Sequence, residues 1–406
     1  MTAGGTLSKY WMFSPEYTNN PYPILAKVRT EQPVSRVETP DGVRVWVVTR
    51  YDDVREALAM PQLGRDIGKL YRSLGKQIGR DLVPPALISN QLANSDPPRH
   101  TALRKALTFA FTPKRIEKLR PTFQKIIDDL LDDLSRQEHP DIQTALADPL
   151  PVISLAQLMG VPSADWPKFS SWAKTLQNTD AADPTGKREK DINDASVYVS
   201  DLIAKREREP EDDLISAMVH ADEDKRLEPK EILSTVFAMM TGGTDTTSAM
   251  VTSCLLALLT HPEQSKRLAE DLDLIPDAID ELIRYVNPVF NALQRITLEP
   301  IEINGVHIPA DEIVVISLGS ANQDPTQFPD RPDELDITKP RPRQHLGFGH
   351  GVHFCVGSHM ARALAEIALR RIFERFPDIR PAVDPSELRY RPSLLLRQLN
   401  SLPVLL

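Results

Sequence analysis

Hydrophobic and polar positions change their period along this chain, and the changes mark out its elements. "RVWVVT" (Arg44–Thr49) has the alternation and β-branched content of a half-buried strand, and "YDDVREALAM" after it has amphipathic helical spacing. From Gln62 to Asn94, glycines, "VPP" and scattered apolar residues break the pattern. A connection that long predicts a functional loop or lid. Helical spacing dominates from Pro97 to about His261, with a long central helix at about 228–260 and "HPEQ" opening the next helix at Pro262. After Arg295 the period falls to two: Ile-Glu-Ile, Asn304-Gly305 and Val-His-Ile predict a two-residue hairpin. "ANQDPTQFPDRPDELDITKPRPRQ" is a proline-rich meander, and "SHMARALAEIALRRIFERFP" is helical again up to Pro377.

These stretches predict a mainly α protein with smaller β regions near 30–50 and 296–318. No repeat or linker divides residues 1–406, so a single domain is expected. One segment, Ile232–Leu259, carries a single charge, Asp245. Its middle, "TGGTDTT", leaves apolar runs shorter than the ~20 residues a membrane span requires, so a buried core helix with a polar interruption is expected. Composition narrows the class further. A 406-residue chain that is 41% hydrophobic can bury a large core, and a net charge of -9 argues against nucleic acid or an anionic membrane as partner. "MTAGGTLSKYWMFSPEY" lacks the regions of a signal peptide, which predicts a cytoplasmic protein. The two cysteines, Cys254 and Cys355, suit neither a disulfide framework nor a zinc site.

The densest candidate chemistry is "HLGFGHGVHFCVG", residues 345–357. Cys355 admits three readings: a small buried hydrophobe, a nucleophile activated by His350 or His353, or a thiolate ligand to haem iron. The glycines favour the third. Gly351 and Gly357 remove side chains that would collide with a flat macrocycle and permit positive φ, and the turn can aim the Val356 and Gly357 N–H groups at sulfur. Phe348 offers a ring to screen the sulfur, and the following helix points its N-terminal dipole at the thiolate. A hydrolase has no use for that apolar shield. Cys254, in the apolar helix, reads as a plain core residue. Phe348-x-x-Gly351-x-His353-x-Cys355-x-Gly357 resembles the haem-binding signature of the cytochrome P-450 family. The resemblance extends from "NPYPILAKVRTEQPVSRV" to "SLPVLL" and implies that family's single triangular, mostly helical fold, with haem b (iron protoporphyrin IX) ligated by Cys355.

Further residues take roles from the same resemblance. Gly242-Gly243 interrupt the central helix at about 1 kcal/mol each relative to alanine. Asp245 and Thr246 match the family's oxygen-activating acid and alcohol. Glu281 and Arg284, at i,i+3, match the Glu-x-x-Arg that braces the meander. The usual meander arginine is missing from "PDEL", and Gln323 stands where many members carry arginine, leaving Lys339 and Arg341 as candidates to close the network. His100, Arg104, Arg295, His345 and His353 match positions that reach the haem propionates. Thr241, Gly242, Val289, Phe290, Asn291 and Ala292 are expected to wall a mainly apolar substrate pocket, together with Gln62–Asn94. No Gly-x-Gly-x-x-Gly fingerprint follows a strand, so a separate electron donor is expected, and the resemblance implies ferredoxin and ferredoxin reductase with NAD(P)H. The docking face is expected at Pro97–Arg120, seven Lys/Arg against one Glu. The implied activity is O2-dependent monooxygenation of a natural product such as a polyketide, macrolide, terpenoid or peptide. The rivals are a peroxide-driven peroxygenase, which typically lacks the Asp245-Thr246 pair, and a cofactor-free cysteine hydrolase.

Overall fold

The computed structural model describes residues 8–177, 186–222, 226–338 and 344–406, apart from the side chains of Ala86 and Phe109. Lys339 and Arg341 lie outside the described residues. In chain order, the first elements that bear on function are β1 (Val34–Glu38), β2 (Arg44–Val48), α1 (Tyr51–Ala59), β3 (Leu63–Gly64), α2 (Ile67–Ile78), α3 (Arg99–Thr108) and α4 (Pro113–Ser135). Next come α5 (Pro149–Leu158), α6 (Pro229–Gly242), α7 (Asp245–Leu259) and α8 (Ile275–Val286). Four strands follow, β4 (Arg295–Thr297), β5 (Ile301–Ile303), β6 (Val306–Ile308) and β7 (Ile313–Ile316), and then α9 (Ser358–Arg375). The fold is mainly helical with small sheets. The chain groups into two compact units, one of Met1–Pro85, Asp280–Cys355 and Arg389–Asn400, the other of Ala86–Ile279, Val356–Leu388 and Ser401–Leu406.

The first unit is built on a five-stranded sheet of order β1-β2-β7-β4-β3. Only the β2–β7 pair is parallel, with Trp46 opposite Val314. Alternation puts Val48, Val314 and Ile316 into one apolar cluster and Val45, Val47 and Val315 into another, so both faces of the sheet are covered. The predicted hairpin forms as β5–β6, with Ile303 opposite Val306. Asn304 at φ 51° and Gly305 at φ 73° are both left-handed, the requirement of a type I′ turn.

The stretch after Gln62 departs from expectation: it contains the 12-residue helix α2. Asp66 caps its start by accepting from the Lys69 N–H, and Gly79 at φ 69° ends it. Leu70, Leu74 and Ile78 recur at helical spacing and pack on the sheet cluster. Gly75 is required there, because a Cβ would lie 2.4 Å from the Arg80 carbonyl oxygen.

The second unit is helical. Thr112 caps α4 with Pro113 at its first position, and the Arg371–Asp128 (2.7 Å) and Arg120–Glu366 (2.8 Å) pairs tie α4 to α9. Glu228 and Glu231 form a reciprocal capping box at the start of α6. The helix expected over 228–260 is two helices: α6 stops at Gly242 and α7 starts at Asp245. Thr244, at φ −92° and ψ −65°, departs from ordinary helical values between them. Among the described residues no helix is long and apolar enough to cross a membrane.

Candidate functional site

The cysteine loop belongs to the first unit. The Cys355 N–H donates to the Phe348 carbonyl at 2.9 Å, the Gly349 N–H to Leu346 at 2.8 Å and the Phe354 N–H to Gly351 at 3.1 Å. Gly349 and Gly351 have φ of 74° and 72°, the left-handed backbone that closes so tight a turn. A Cβ on Gly351 would sit 3.0 Å from the Leu58 carbonyl oxygen and 3.1 Å from Ala59 Cα, so the loop is pressed against the end of α1. Gly357 does not share this conformation. Its φ is −85° and it caps α9, which corrects the expectation of positive φ there. The Phe348 ring lies 6.0 Å from His345 and 6.4 Å from Phe354. Cys355 is half-buried, whereas Cys254 is fully enclosed and burial pushes its thiol up to about 12. His353 is half-buried, and burial, then the Arg55 charge, holds His350 below the usual imidazole range.

His345 is fixed at both ring nitrogens: Nδ1 accepts from the Gly347 N–H at 3.1 Å, and Nε2 lies 3.1 Å from Asp280 Oδ1. That leaves it anchored within the loop rather than extended toward a ligand. Behind the loop, Glu281 and Arg284 are each 1% exposed. Arg284 reaches Glu281 through Nε and Nη2 at 2.7 and 2.8 Å, and the carbonyls of Asn322, Pro332 and Glu334 at 2.9, 2.7 and 3.1 Å. The backbone of "PDEL" thus accepts from Arg284 through the Pro332 and Glu334 carbonyls. Asn322 joins this brace to the loop, because its Oδ1 accepts from the Leu346 N–H at 2.6 Å. Neither Asn322 nor Asp280 was marked by sequence; both are short polar residues whose importance lies in what they hold.

The second unit holds the break between α6 and α7. The Thr246 hydroxyl donates to the Gly242 carbonyl at 2.8 Å, as Thr241 does to Phe237 at 3.0 Å and Thr244 to Met240 at 2.8 Å. Such back-bonding bends helices, and it leaves the Thr246 oxygen with lone pairs to offer. Asp245, half-buried, stands in the first turn of α7, where the helix dipole favours a negative charge. The two glycines do different work. A Cβ on Gly242 would meet nothing within 4 Å, whereas one on Gly243 would lie 2.9 Å from Met239 O and 3.0 Å from Leu155 Cδ1.

Buried bases complete the candidate set: His100 is 2% exposed in the second unit and Arg295 4% exposed on β4 in the first, while Arg104 is half-buried. Within the first unit, the half-buried thiol on a glycine-bent loop and the buried Arg295 have the chemistry a haem asks for, a soft ligand for iron and a basic partner for a propionate. The substrate wall needs correction. Phe290 is core, packed edge-on to Tyr17 and Tyr22 and closing on Gly319, where a Cβ would meet its ring at 2.4 Å. Asn291 is 2% exposed and donates to the Leu394 carbonyl. Their neighbours Val289 and Ala292 are only partly buried, and Leu293 is 40% exposed. The basic stretch is also less positive than counting suggested. Arg99 pairs with Glu231, Arg115 and Lys118 with Asp212 at 3.4 and 2.7 Å, and Arg120 with Glu366, carboxylates remote in sequence; Lys105 is exposed.

Comparison with known proteins agrees with this geometry. A sequence profile for the family "Cytochrome P450" matches residues 155–402. Cytochrome P450 107B1 of Saccharopolyspora erythraea is 41% identical over 379 residues, 92% of each chain. Other bacterial relatives, with names that include monooxygenase, hydroxylase and polyketide biosynthesis, match over nine-tenths of the chain. Among solved structures, the bacillaene polyketide synthase cytochrome P450 PksS of Bacillus subtilis has a TM-score of 0.87 at 33% identity, covering 98% of this chain and 99% of that one. P450BioI, solved with an acyl carrier protein ligated by hexadec-9Z-enoic acid, has a TM-score of 0.82 at 30% identity, covering 97% and 100%.

Proposed function

The chain belongs to the cytochrome P450 family, and from that premise we propose a monooxygenase that tailors a polyketide or macrolide with electrons from a ferredoxin. The Cys355 loop carries the proposal, because its backbone bonds and left-handed glycines hold one thiol at a bend while the chain's other thiol is sealed in the core. Haem, the family's cofactor, supplies reductive activation of O2: one oxygen atom enters the substrate and the other leaves as water, with two electrons and two protons consumed. Cys355 is the residue that holds the iron, with Phe348 beside it to limit water. His100, Arg104, Arg295 and His353 are assigned to the propionates. His345 belongs to the same set in the family, but here it stabilises the loop through Asp280.

Thr246 is assigned a proton-handling role: its own proton rests on the Gly242 carbonyl and its lone pairs can accept a donor. Asp245 brings protons from water. Thr241, Gly242, Val289 and Ala292 keep their assignment as substrate contacts, and the mostly apolar set suits a reduced carbon skeleton. Lys105 and Lys114, both exposed, are assigned to meet an acidic ferredoxin. Relatives that act in polyketide biosynthesis, and one solved on an acyl carrier protein, support a substrate delivered on such a carrier. A cytoplasmic location belongs to the same reading. The test is a panel of polyketide and macrolide substrates, scored by spin-state shift and then by turnover. Turnover with ferredoxin, reductase and NAD(P)H supports the proposal; equal turnover with peroxide alone would favour the peroxygenase reading.

A further inference from the structure

Helix α2 presents two unlike faces. Leu70, Leu74 and Ile78 pack on the sheet core, Ser73 donates to the Asp311 carbonyl at 2.8 Å, and the Gln77 side chain bonds the Arg44 backbone at 2.8 and 3.2 Å, so the helix is docked on that side. At 100° per residue, Lys69, Arg72 and Lys76 fall together on the opposite side, and Arg80 follows just past the Gly79 cap. Arg72, Lys76 and Arg80 are exposed, and residues 67–80 contain no Asp or Glu. Other surface cations pair heavily, as Lys118, Lys125 and Lys190 do. Among the described residues, none of these four has a carboxylate within ion-pair distance. A basic stripe without ion pairs, flanked by Asp66 and Asp81, stands out on a chain of net charge -9. Three residues beyond Arg80, Val83 is 84% exposed and offers an apolar anchor beside the charges.

We propose that Lys69, Arg72, Lys76 and Arg80, with Val83, form the docking surface for an acidic carrier protein that brings the substrate as a thioester. This deepens the polyketide-tailoring reading and rests on it. Cations at one-turn spacing complement a helix whose carboxylates repeat at the same spacing, and an apolar contact beside them fixes register. A bilayer fits less well: the three exposed cations here contribute roughly 1 kcal/mol each at an anionic surface, against the repulsion of the chain's overall negative charge.

The test uses the haem-loaded enzyme and an acyl carrier protein bearing a hexadecanoyl thioester, with affinity measured by titration at low and high salt. The wild type binds, and binding weakens as salt rises. K69E/R72E/K76E loses roughly 10- to 100-fold in affinity at low salt. The same variant keeps its reduced carbon-monoxide spectrum and its urea midpoint. Carrier binding unchanged in the triple variant, or absent from a wild type that still oxidises free substrates, would overturn the docking assignment and leave the monooxygenase reading intact. Stripe-dependent binding to phosphatidylglycerol vesicles without carrier binding would also overturn it.

Discussion

Arg284→Lys keeps a positive charge and removes the planar fork. Arg284 has five N–H groups, and five acceptors receive them: both oxygens of Glu281 and the carbonyls of Asn322, Pro332 and Glu334. A lysine ammonium has three, all on one nitrogen. At least two buried acceptors therefore lose their donor, and at about 1–3 kcal/mol each the variant is destabilised by roughly 2–6 kcal/mol. Arg284→Ala removes both charge-assisted bonds to Glu281, 1% exposed, at about 3–5 kcal/mol. These are large fractions of the ~5–15 kcal/mol that stabilises a typical domain. Because Asn322 ties the brace to Leu346, the damage should reach the cysteine loop. Urea unfolding of the haem-loaded protein, followed by circular dichroism and by the Soret band, measures both effects. The Soret transition of Arg284→Lys should move to lower urea and precede loss of helix. A variant within about 0.5 kcal/mol of wild type by both probes would refute the reasoning.

Gly242→Ala meets open space and should fold at least as well as wild type, gaining up to about 1 kcal/mol, whereas Gly243→Ala presses on Met239 and Leu155 and should lose about 1–3 kcal/mol; equal melting shifts would contradict this. Thr246→Ala should cut product per NAD(P)H by roughly tenfold or more while sparing carbon monoxide binding, and unchanged product yield would remove it from proton handling. Lys105→Glu should slow reduction by ferredoxin at low salt with substrate affinity intact, and unchanged reduction kinetics would refute the docking role. His350 is held below its ordinary 6.5 by burial, so its neutral form favours the fold. Its contribution to stability is complete above about pH 6.5 and is lost as pH falls through the lower folded value, a slope that His350→Gln should flatten in pH-dependent melts.

Local chemistry was the most legible part of the chain. The hairpin at Asn304-Gly305 needed only two residues tolerant of positive φ, and the cysteine loop announced itself by glycines spaced around one sulfur. The brace was half legible: Glu281 and Arg284 stand three apart, but their acceptors are main-chain carbonyls, which carry no residue identity to read. Helix α2 was masked by Gly68 and Gly75, although Leu70, Leu74 and Ile78 kept helical spacing throughout. Phe290 and Asn291 misled because apolar and amide residues look alike whether they face a ligand or the core; only the fold placed them against Tyr17 and Leu394. Charge in Pro97–Arg120 was overstated because Asp212, Glu231 and Glu366 arrive from distant sequence.

The account stands on Cys355 as the ligand to iron, and the spectrum of the reduced, carbon-monoxide-bound protein reports that bond directly. Wild type should show the strongly red-shifted Soret band of thiolate ligation, Cys254→Ala should keep it, and Cys355→Ser should lose it. A red-shifted band that survives in Cys355→Ser would mean that another atom holds the iron, contradicting the assignment.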